Sequence, residues 1–523
     1  MRTSAFEILG PIMVGPSSSH TAGALRIAQV ARQVAPRPIK LVTFTLYNSF
    51  ARTYEGHGTG RALVAGILGL AADDVRIKDS FDLSEQAGLA FSFVEAPDGT
   101  GKHPNTVDID MTLDDGERLS VMGESLGGGR VRVCEINGVA VEVTGELNTL
   151  FVSHQDVPGV LAALTGMISA ADINIATVHT YRKERGGDAY SVFEVDEPLE
   201  DAFVERVSSL PGVRFASVVL VPGAPPAATA EEVTYDFDTG SALLGLCESA
   251  PCSIGTAMRR REAQITGSEE AVGAEMHRVL EVMRSETVAT IERPERSLGG
   301  YLFGQAAAVD SRGGSIGPSL LGPTLTKAVA YAMATLERSA TMGVIVAAPT
   351  AGSAGVVPGA LLALGEAMGA PDEKVEQGLW CAAAVGALIA TNGSVSGAEG
   401  GCQAEVGTAS AMAAAGLTQM MFGSPRACLT AAALAMANVL GMVCDPVRGL
   451  VEYPCQDRNA LGVSNAFTAA QLALSGVGSV IPFDEVVDAM TSVGHALPPS
   501  LRETALGGLA AEPSACRGCT GCE

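Results

Sequence analysis

The chain has 523 residues, room for about three folding units at ~150 residues each. Hydrophobic residues make up 47% and charged residues 18%, with 61 glycines, a composition that builds helices packed through small side chains and excludes a disordered tail. The 34 basic and 58 acidic residues give a net charge of −24, which repels a phosphate backbone and argues against nucleic acid as a partner.

Residues 1–148 mix helical and extended patterns and predict an α+β domain. Met1–Phe6 lacks the apolar stretch of a secretory signal, which predicts a cytoplasmic chain. The polar turn GPSSSHTAG (15–23) feeds a helical pattern from Ala24 to Ala31. Ile39–Leu46 alternates as a strand, Ala62–Leu70 reads as a helix, and further strands are expected at 106–112 and 130–144, after the glycines 127–129.

Residues 149–221 have a different rhythm: a strand at 149–152, a helix from the turn at 156–159 to Ala170, strands at 173–180 and 189–195, a helix at about 199–208 and a strand at 213–221. That order, βαββαβ, predicts a ferredoxin-like unit. Residues 222–232 (PGAPPAATAEE) read as a linker. From 233 to 523 helical periodicity with glycine-rich breaks predicts an all-α domain. Two uncharged runs, 341–365 and 427–444, approach the length of a membrane span. They are rich in Ala, Gly, Ser and Thr and lack flanking Trp/Tyr belts, so they are read as buried core with no membrane as partner.

Eleven cysteines in a cytoplasmic chain do not make a disulfide framework. Cys134, Cys247, Cys252, Cys381 and Cys428 suit small buried apolar roles. Cys402, Cys444 and Cys455 instead sit beside turn-forming residues, in GAEGGCQAEVG and CDPVRGLVEYPCQDRN. Three thiolates gathered by a fold can hold a [4Fe–4S] cluster and leave one iron open. Zinc and isolated core cysteines stay as alternatives on spacing alone, although these three lack a CxxC knuckle.

The stretches GPSSSHTAG, GHGT (56–59), SLGGGRV (125–131), GPTLTKA (322–328), APTAGSAGVVPG (348–359), NGSVSGAEGGCQAEVGTASAMAA (392–414) and CDPVRGLVEYPCQDRN (444–459) resemble, in order, the iron–sulfur L-serine dehydratases. The first two segments resemble that family's β subunit with an ACT domain, and the third its α subunit, here fused. The resemblance implies that Cys402, Cys444 and Cys455 hold a [4Fe–4S] cluster and that L-serine becomes pyruvate and ammonia. A base must take the Cα proton, and His57 and His20, flanked by glycine and small polar residues, are the candidates. Ser17, Ser18, Ser19, Thr59, Thr350, Ser353 and Asn392 are the expected contacts for substrate. After GHGT the family usually has an aspartate where this chain has Gly60, so a carboxylate orienting His57 is in doubt.

DxPGVLAAL followed by DINI resembles an ACT domain, which implies a small-molecule effector near Asp156, Pro158, Gly159 and Asn174. Serine or a monovalent cation are both open as effector, and ACT pairing implies a homodimer. Pyridoxal phosphate is not expected: of six lysines only Lys327 lies near a glycine-rich turn, on an amphipathic helix. A cluster-bearing lyase for another hydroxy or thiol amino acid, or an amino-acid sensor without catalysis, are the competing readings. The tail CRGCTGC (516–522) carries three more cysteines, of which Cys522 is expected to cap the open iron when substrate is absent.

Overall fold

The computed structural model describes residues 3–54, 56–97, 101–145, 147–182, 184–222, 233–315 and 319–515. Strand β1 (Ile12–Val14) enters the polar 15–23 loop, and the helix Ala24–Gln33 follows, with Leu25, Ile27, Ala28, Val30 and Ala31 buried. The alternation at 39–46 forms β2 (Ile39–Leu46), with Val42, Phe44 and Leu46 facing inward. With β3 (Ala90–Glu95), β4 (Thr106–Leu113), β5 (Arg118–Gly127), β6 (Arg130–Ile136) and β7 (Val139–Val143) it makes a six-stranded sheet in the order β3-β2-β4-β5-β6-β7. Only β2 and β3 run parallel.

Two of these strands left no clear pattern in the sequence. β3 is a half-exposed edge, so its alternation is weak. In β5 the inward positions include Gly123 and Ser125, and a Cβ on Gly123 would stand 2.5 Å from Ile27. Close helix–sheet packing erased the hydrophobic signal there. The expected 130–144 strand is two strands around Asn137-Gly138, both at positive φ, the geometry of a tight hairpin turn.

The next region is β8 (Asn148–Gln155), the helix Val160–Ala170, β9 (Ile175–Arg182), β10 (Asp188–Val195), the helix Asp201–Ser208 and β11 (Val213–Val219). Its antiparallel sheet has the order β11-β8-β10-β9. One face, with Leu150, Val152, Phe193 and Val195, packs on the two helices. The other face sends Phe151, Tyr190, Val192 and Val219 into the core of the N-terminal region. Gln33 ties the two together, donating to the Leu220 carbonyl at 2.8 Å and accepting its N–H at 2.7 Å.

The C-terminal region is helical, with one amendment to the all-α expectation. β12 (Val344–Val346) pairs antiparallel with β1, Ile12 opposite Val346, and so stitches the first residues of the chain to the helices. Three residues are too few for an alternation to show. The 341–365 run therefore divides into β12, the turn Ala351–Ser353 and the helix Val356–Met368. The stretch Ala351–Met368 is long and apolar enough to cross a membrane, but 72% of it is buried inside the protein. Most of the 427–444 run is the helix Pro425–Ala437, also part of the main core. That core is built largely of alanine and glycine: a Cβ on Gly416 would meet the Gly378 carbonyl at 2.8 Å, so the helices Asp372–Asn392 and Thr408–Met420 touch almost backbone to backbone.

Candidate active site between the helical and N-terminal regions

Three different devices deliver the three cysteines. Gly401, at φ +74°, lets the chain turn against the Met442 carbonyl, and Cys402 then begins the π-turn Gln403–Gly407 that leads into the helix Thr408–Met420. Gln403 locks that turn, donating to the Met490 carbonyl at 3.0 Å and accepting from Gly441 N–H at 2.9 Å. Cys444 is held by its backbone, donating to Leu501 O at 2.9 Å and accepting from Glu503 N–H at 2.8 Å. Cys455 follows Pro454 and opens the helix Cys455–Leu474. All three are buried.

The Cys402 and Cys444 sulfurs and one Glu405 carboxylate oxygen lie within 4.8 Å of one another. Arg458, one turn into the Cys455 helix, donates to the Cys402 sulfur at 3.4 Å, to Val443 O at 2.9 Å and to Asp445 at 2.7 Å. Burial opposes its charge, but the Cys402 sulfur and Asp445 outweigh that and raise its pKa. Glu405 accepts from the Thr350 hydroxyl at 2.8 Å, and burial raises its pKa. Glu503, at φ +59°, is raised well above the carboxylate range by burial and by Glu405. Hydrogen bonding to Cys402, then burial, pushes the Cys444 thiol well up, and burial does the same for Cys455. Cys444 and Cys455, thiols that resist ionisation in isolation, suit a cationic metal centre that would take them as thiolates. The Cys402 and Cys444 sulfurs lie close together and Cys455 lines the same cleft as Cys444, a donor set compatible with an iron–sulfur cluster.

The N-terminal region closes the other side. Ser17, Ser18, Ser19, Gly127 and Gly128 line one cleft together with Thr350, Ser396, Glu405, Cys444, Cys455 and Glu503. Behind the serines stands His20, wholly buried, its Nδ1 2.9 Å from Ser19 Oγ and 3.3 Å from Ser17 Oγ, its Nε2 2.9 Å from Ser49 Oγ. The His57 ring lies 4.3 Å behind the His20 ring, also wholly buried, and neither of its nitrogens has a hydrogen-bond partner among the described residues. Burial, and then His57, holds His20 well below its ordinary pKa, and burial brings His57 down to about 4. Both are neutral imidazoles at pH 7. The position after GHGT is tight: a Cβ on Gly60 would stand 3.0 Å from the Phe93 ring, which would have to give way to a carboxylate there.

Not every expected residue reaches the cleft. Ser353 is wholly buried and bonds within its own turn, to Thr350 and Ala348. Thr59 is buried at the start of the helix Thr59–Leu68, outside the cleft wall, with its hydroxyl unpartnered among the described residues. Asn392 lies outside the cleft wall: it is exposed, and its amide nitrogen donates to the Asp238 and Leu388 carbonyls at 2.7 and 2.8 Å. Asp156 accepts from Arg182 and Gly186, Asn174 bonds to Asp196 and Glu197, and Pro158 and Gly159 lie on an exposed turn. Cys522 lies outside the described residues. Glu405, Arg458 and Glu503 were not anticipated. For the first two the signal was available: a charged residue three positions after a cysteine, inside a small-residue stretch. Glu503 comes from a distant loop and left none.

A helical region that buries a sulfur donor set is capped by an α+β region, with a βαββαβ module packed on the latter. The family models that match are the serine dehydratase beta chain over residues 4–92, the ACT domain over 148–212 and the serine dehydratase alpha chain over 249–510. The chain is 30% identical to an L-serine dehydratase of Streptomyces coelicolor over 517 residues, 98% of this chain and 99% of that one. It is 45% identical over 273 residues to a probable L-serine dehydratase alpha chain of Bacillus subtilis (52% of this chain, 90% of the relative). It is 43% identical over 204 residues to an L-serine dehydratase beta chain of Peptoniphilus asaccharolyticus (39% and 92%). The chain belongs to the L-serine dehydratase family of lyases, with beta-chain, ACT and alpha-chain regions in one polypeptide.

Proposed function

We propose that this chain converts L-serine to pyruvate and ammonia. The observation that carries the reading is the shared cleft: Ser17–Ser19 of the beta-chain region and Cys444 and Cys455 of the alpha-chain region line one space. Cys402, Cys444 and Cys455 would hold a [4Fe–4S] cluster, which when bound supplies a Lewis acid for the departing hydroxyl. Arg458 offsets the negative charge of the sulfurs. The Ser17–Ser19 hydroxyls, with the backbone N–H groups of the glycine turn at 127–128, offer donors to the substrate carboxylate.

His20 stands one hydroxyl behind the cleft wall and is neutral, the state a base requires, so it is the group we assign to the Cα proton, with His57 behind it. The unpartnered nitrogens of His57 support that pairing, because a buried polar group without a partner costs about 1–3 kcal/mol. Loss of the Cα proton and the Cβ hydroxyl leaves an enamine, which tautomerises to the imine. Water then returns in hydrolysis, so serine balances to pyruvate plus ammonia. Free described cysteines suit a reducing cytoplasm, and the exposed edge strand β9 suits pairing of two copies through the ACT sheets.

The test is anaerobic purification, iron and sulfide counting, and a pyruvate assay with L-serine, on the chain and on Cys444→Ala beside Cys428→Ala. Loss of iron and pyruvate formation in the first variant alone is the expected result. Full iron and activity in Cys444→Ala overturns the assignment.

A further inference from the structure

A cleft of about 1050 Å3 opens where the N-terminal sheet, the ACT sheet and the helix Glu269–Glu292 meet, away from the cysteines. One wall holds a buried charge that the fold leaves incompletely satisfied. Arg26 is 6% exposed, donates one N–H to the Gly129 carbonyl, and has no partner on Nε among the described residues. Burial lowers its guanidinium to about 10, opposed by Glu7, so it stays charged at neutral pH. Arg130 lies on the same wall, exposed, and its side chain makes no hydrogen bond or ion pair among the described residues. The other two arginines of the cleft are engaged: Arg132 pairs with Glu124 at 2.6 Å and Arg278 with Asp73 at 2.9 Å.

Arg130 therefore offers this cleft a cationic fork, the geometry that binds a carboxylate in two-point fashion, and Arg26 adds a buried positive charge beside it. Acidic side chains, Glu142 and Glu194 among them, line the same space. They would repel a multiply charged anion and attract an ammonium. We propose that this cleft is an effector site for an α-amino acid, whose carboxylate lies on Arg26 and Arg130 and whose ammonium faces the acidic wall. It differs from the Asp156–Asn174 rim, whose polar groups already have partners within the ACT domain.

The site is joined to the active-site cleft by one turn. Gly127, Gly128 and Gly129 stand at φ +91°, +59° and +77°, a run of left-handed backbone that other residues adopt at a cost. Gly128 lines both clefts, Gly127 lies against Ser396 on the catalytic side, and Arg26 holds the Gly129 carbonyl on the other. An amino acid that orders Arg26 and Arg130 also orders this turn, and with it one wall of the active site.

The test does not depend on the reaction. Calorimetric titration of the full chain uses L-alanine, which has carboxylate and ammonium but no hydroxyl to eliminate, with pyruvate and inorganic phosphate as comparisons. Alanine is expected to bind, pyruvate more weakly for want of an ammonium, and phosphate weakest. Arg130→Gln, on the surface and safe for folding, should weaken alanine binding about ten-fold or more. Arg26→Lys, which keeps the charge but loses the fork, should weaken it several-fold. Deuterium uptake over residues 126–130 should fall on adding alanine to the unaltered chain and not in Arg130→Gln. Unchanged alanine affinity in Arg130→Gln, or phosphate binding as tightly as alanine, overturns the proposal. Alanine binding that leaves uptake at 126–130 unchanged overturns the coupling through the turn.

Discussion

Arg458 reaches the sulfur of Cys402 at 3.4 Å from the helix that Cys455 begins, so a single guanidinium joins two of the three cysteine-bearing segments. Its second nitrogen pairs with Asp445, the residue after the third cysteine, at 2.7 Å. The three segments are thus registered by a charge as well as by packing.

That pairing predicts the effect of removing it. Asp445 is almost fully buried, and Arg458→Gln leaves its carboxylate with the Leu509 N–H as remaining partner. Breaking a buried pair from one side costs about 3–5 kcal/mol. Urea unfolding should show a loss of that order, with fewer irons per chain after anaerobic purification. Arg458→Lys keeps the charge without the fork and should fall between. Equal stability and iron content in Arg458→Gln would contradict the registering role.

A pH dependence follows from His57. Its pKa is about 4 in the folded chain, lowered by burial, against about 6.5 when exposed. Between those values the unfolded chain binds a proton that the folded one refuses, so stability rises with pH across roughly 4 to 6.5 and falls as pH drops through that window. Melting temperature measured from pH 7 to 4 should fall less steeply in His57→Asn than in the unaltered chain. Identical slopes would mean that this histidine is accessible to protons in the folded state.

The ACT sheet is expected to behave as part of the N-terminal core. Phe151 faces that core, while Phe193 on the adjacent strand, opposite Leu150, faces the ACT helices. Either change to alanine removes a fully buried ring and should cost about 3–5 kcal/mol. Hydrogen exchange separates them: Phe151→Ala should raise exchange in the helix Ala24–Gln33, and Phe193→Ala should not. Matching exchange in that helix for both variants would argue for an ACT domain that is only tethered.

The glycine turn supplies a graded test. At Gly128 an added Cβ meets nothing within 4 Å, so Gly128→Ala should cost only the left-handed backbone penalty, about 1–2 kcal/mol. At Gly129 the Cβ would meet Arg26 Nη1 at 3.0 Å and Pro11 Cδ at 3.2 Å, so Gly129→Ala should lose more. Equal losses in denaturant midpoints would show that the turn relaxes away from Arg26.

By itself the sequence determined the features that local periodicity and side-chain chemistry encode. The 39–46 alternation became β2, the βαββαβ order of the ACT region was legible from its turns, and Cys402, Cys444 and Cys455 were singled out by their glycine- and proline-flanked settings. Only the tertiary structure decided what depends on partners far apart in the chain. It brought Ser17–Ser19 against Cys444 and Cys455 and set Glu503 beside Glu405. It placed Asn392 outside the cleft wall, where its amide donates to the Asp238 carbonyl 154 positions away. It also paired β1 with β12, two three-residue strands too short to show a period. A period is written in neighbouring residues, whereas a cleft wall is written in which surfaces the core brings together, and that is settled only when the whole chain packs.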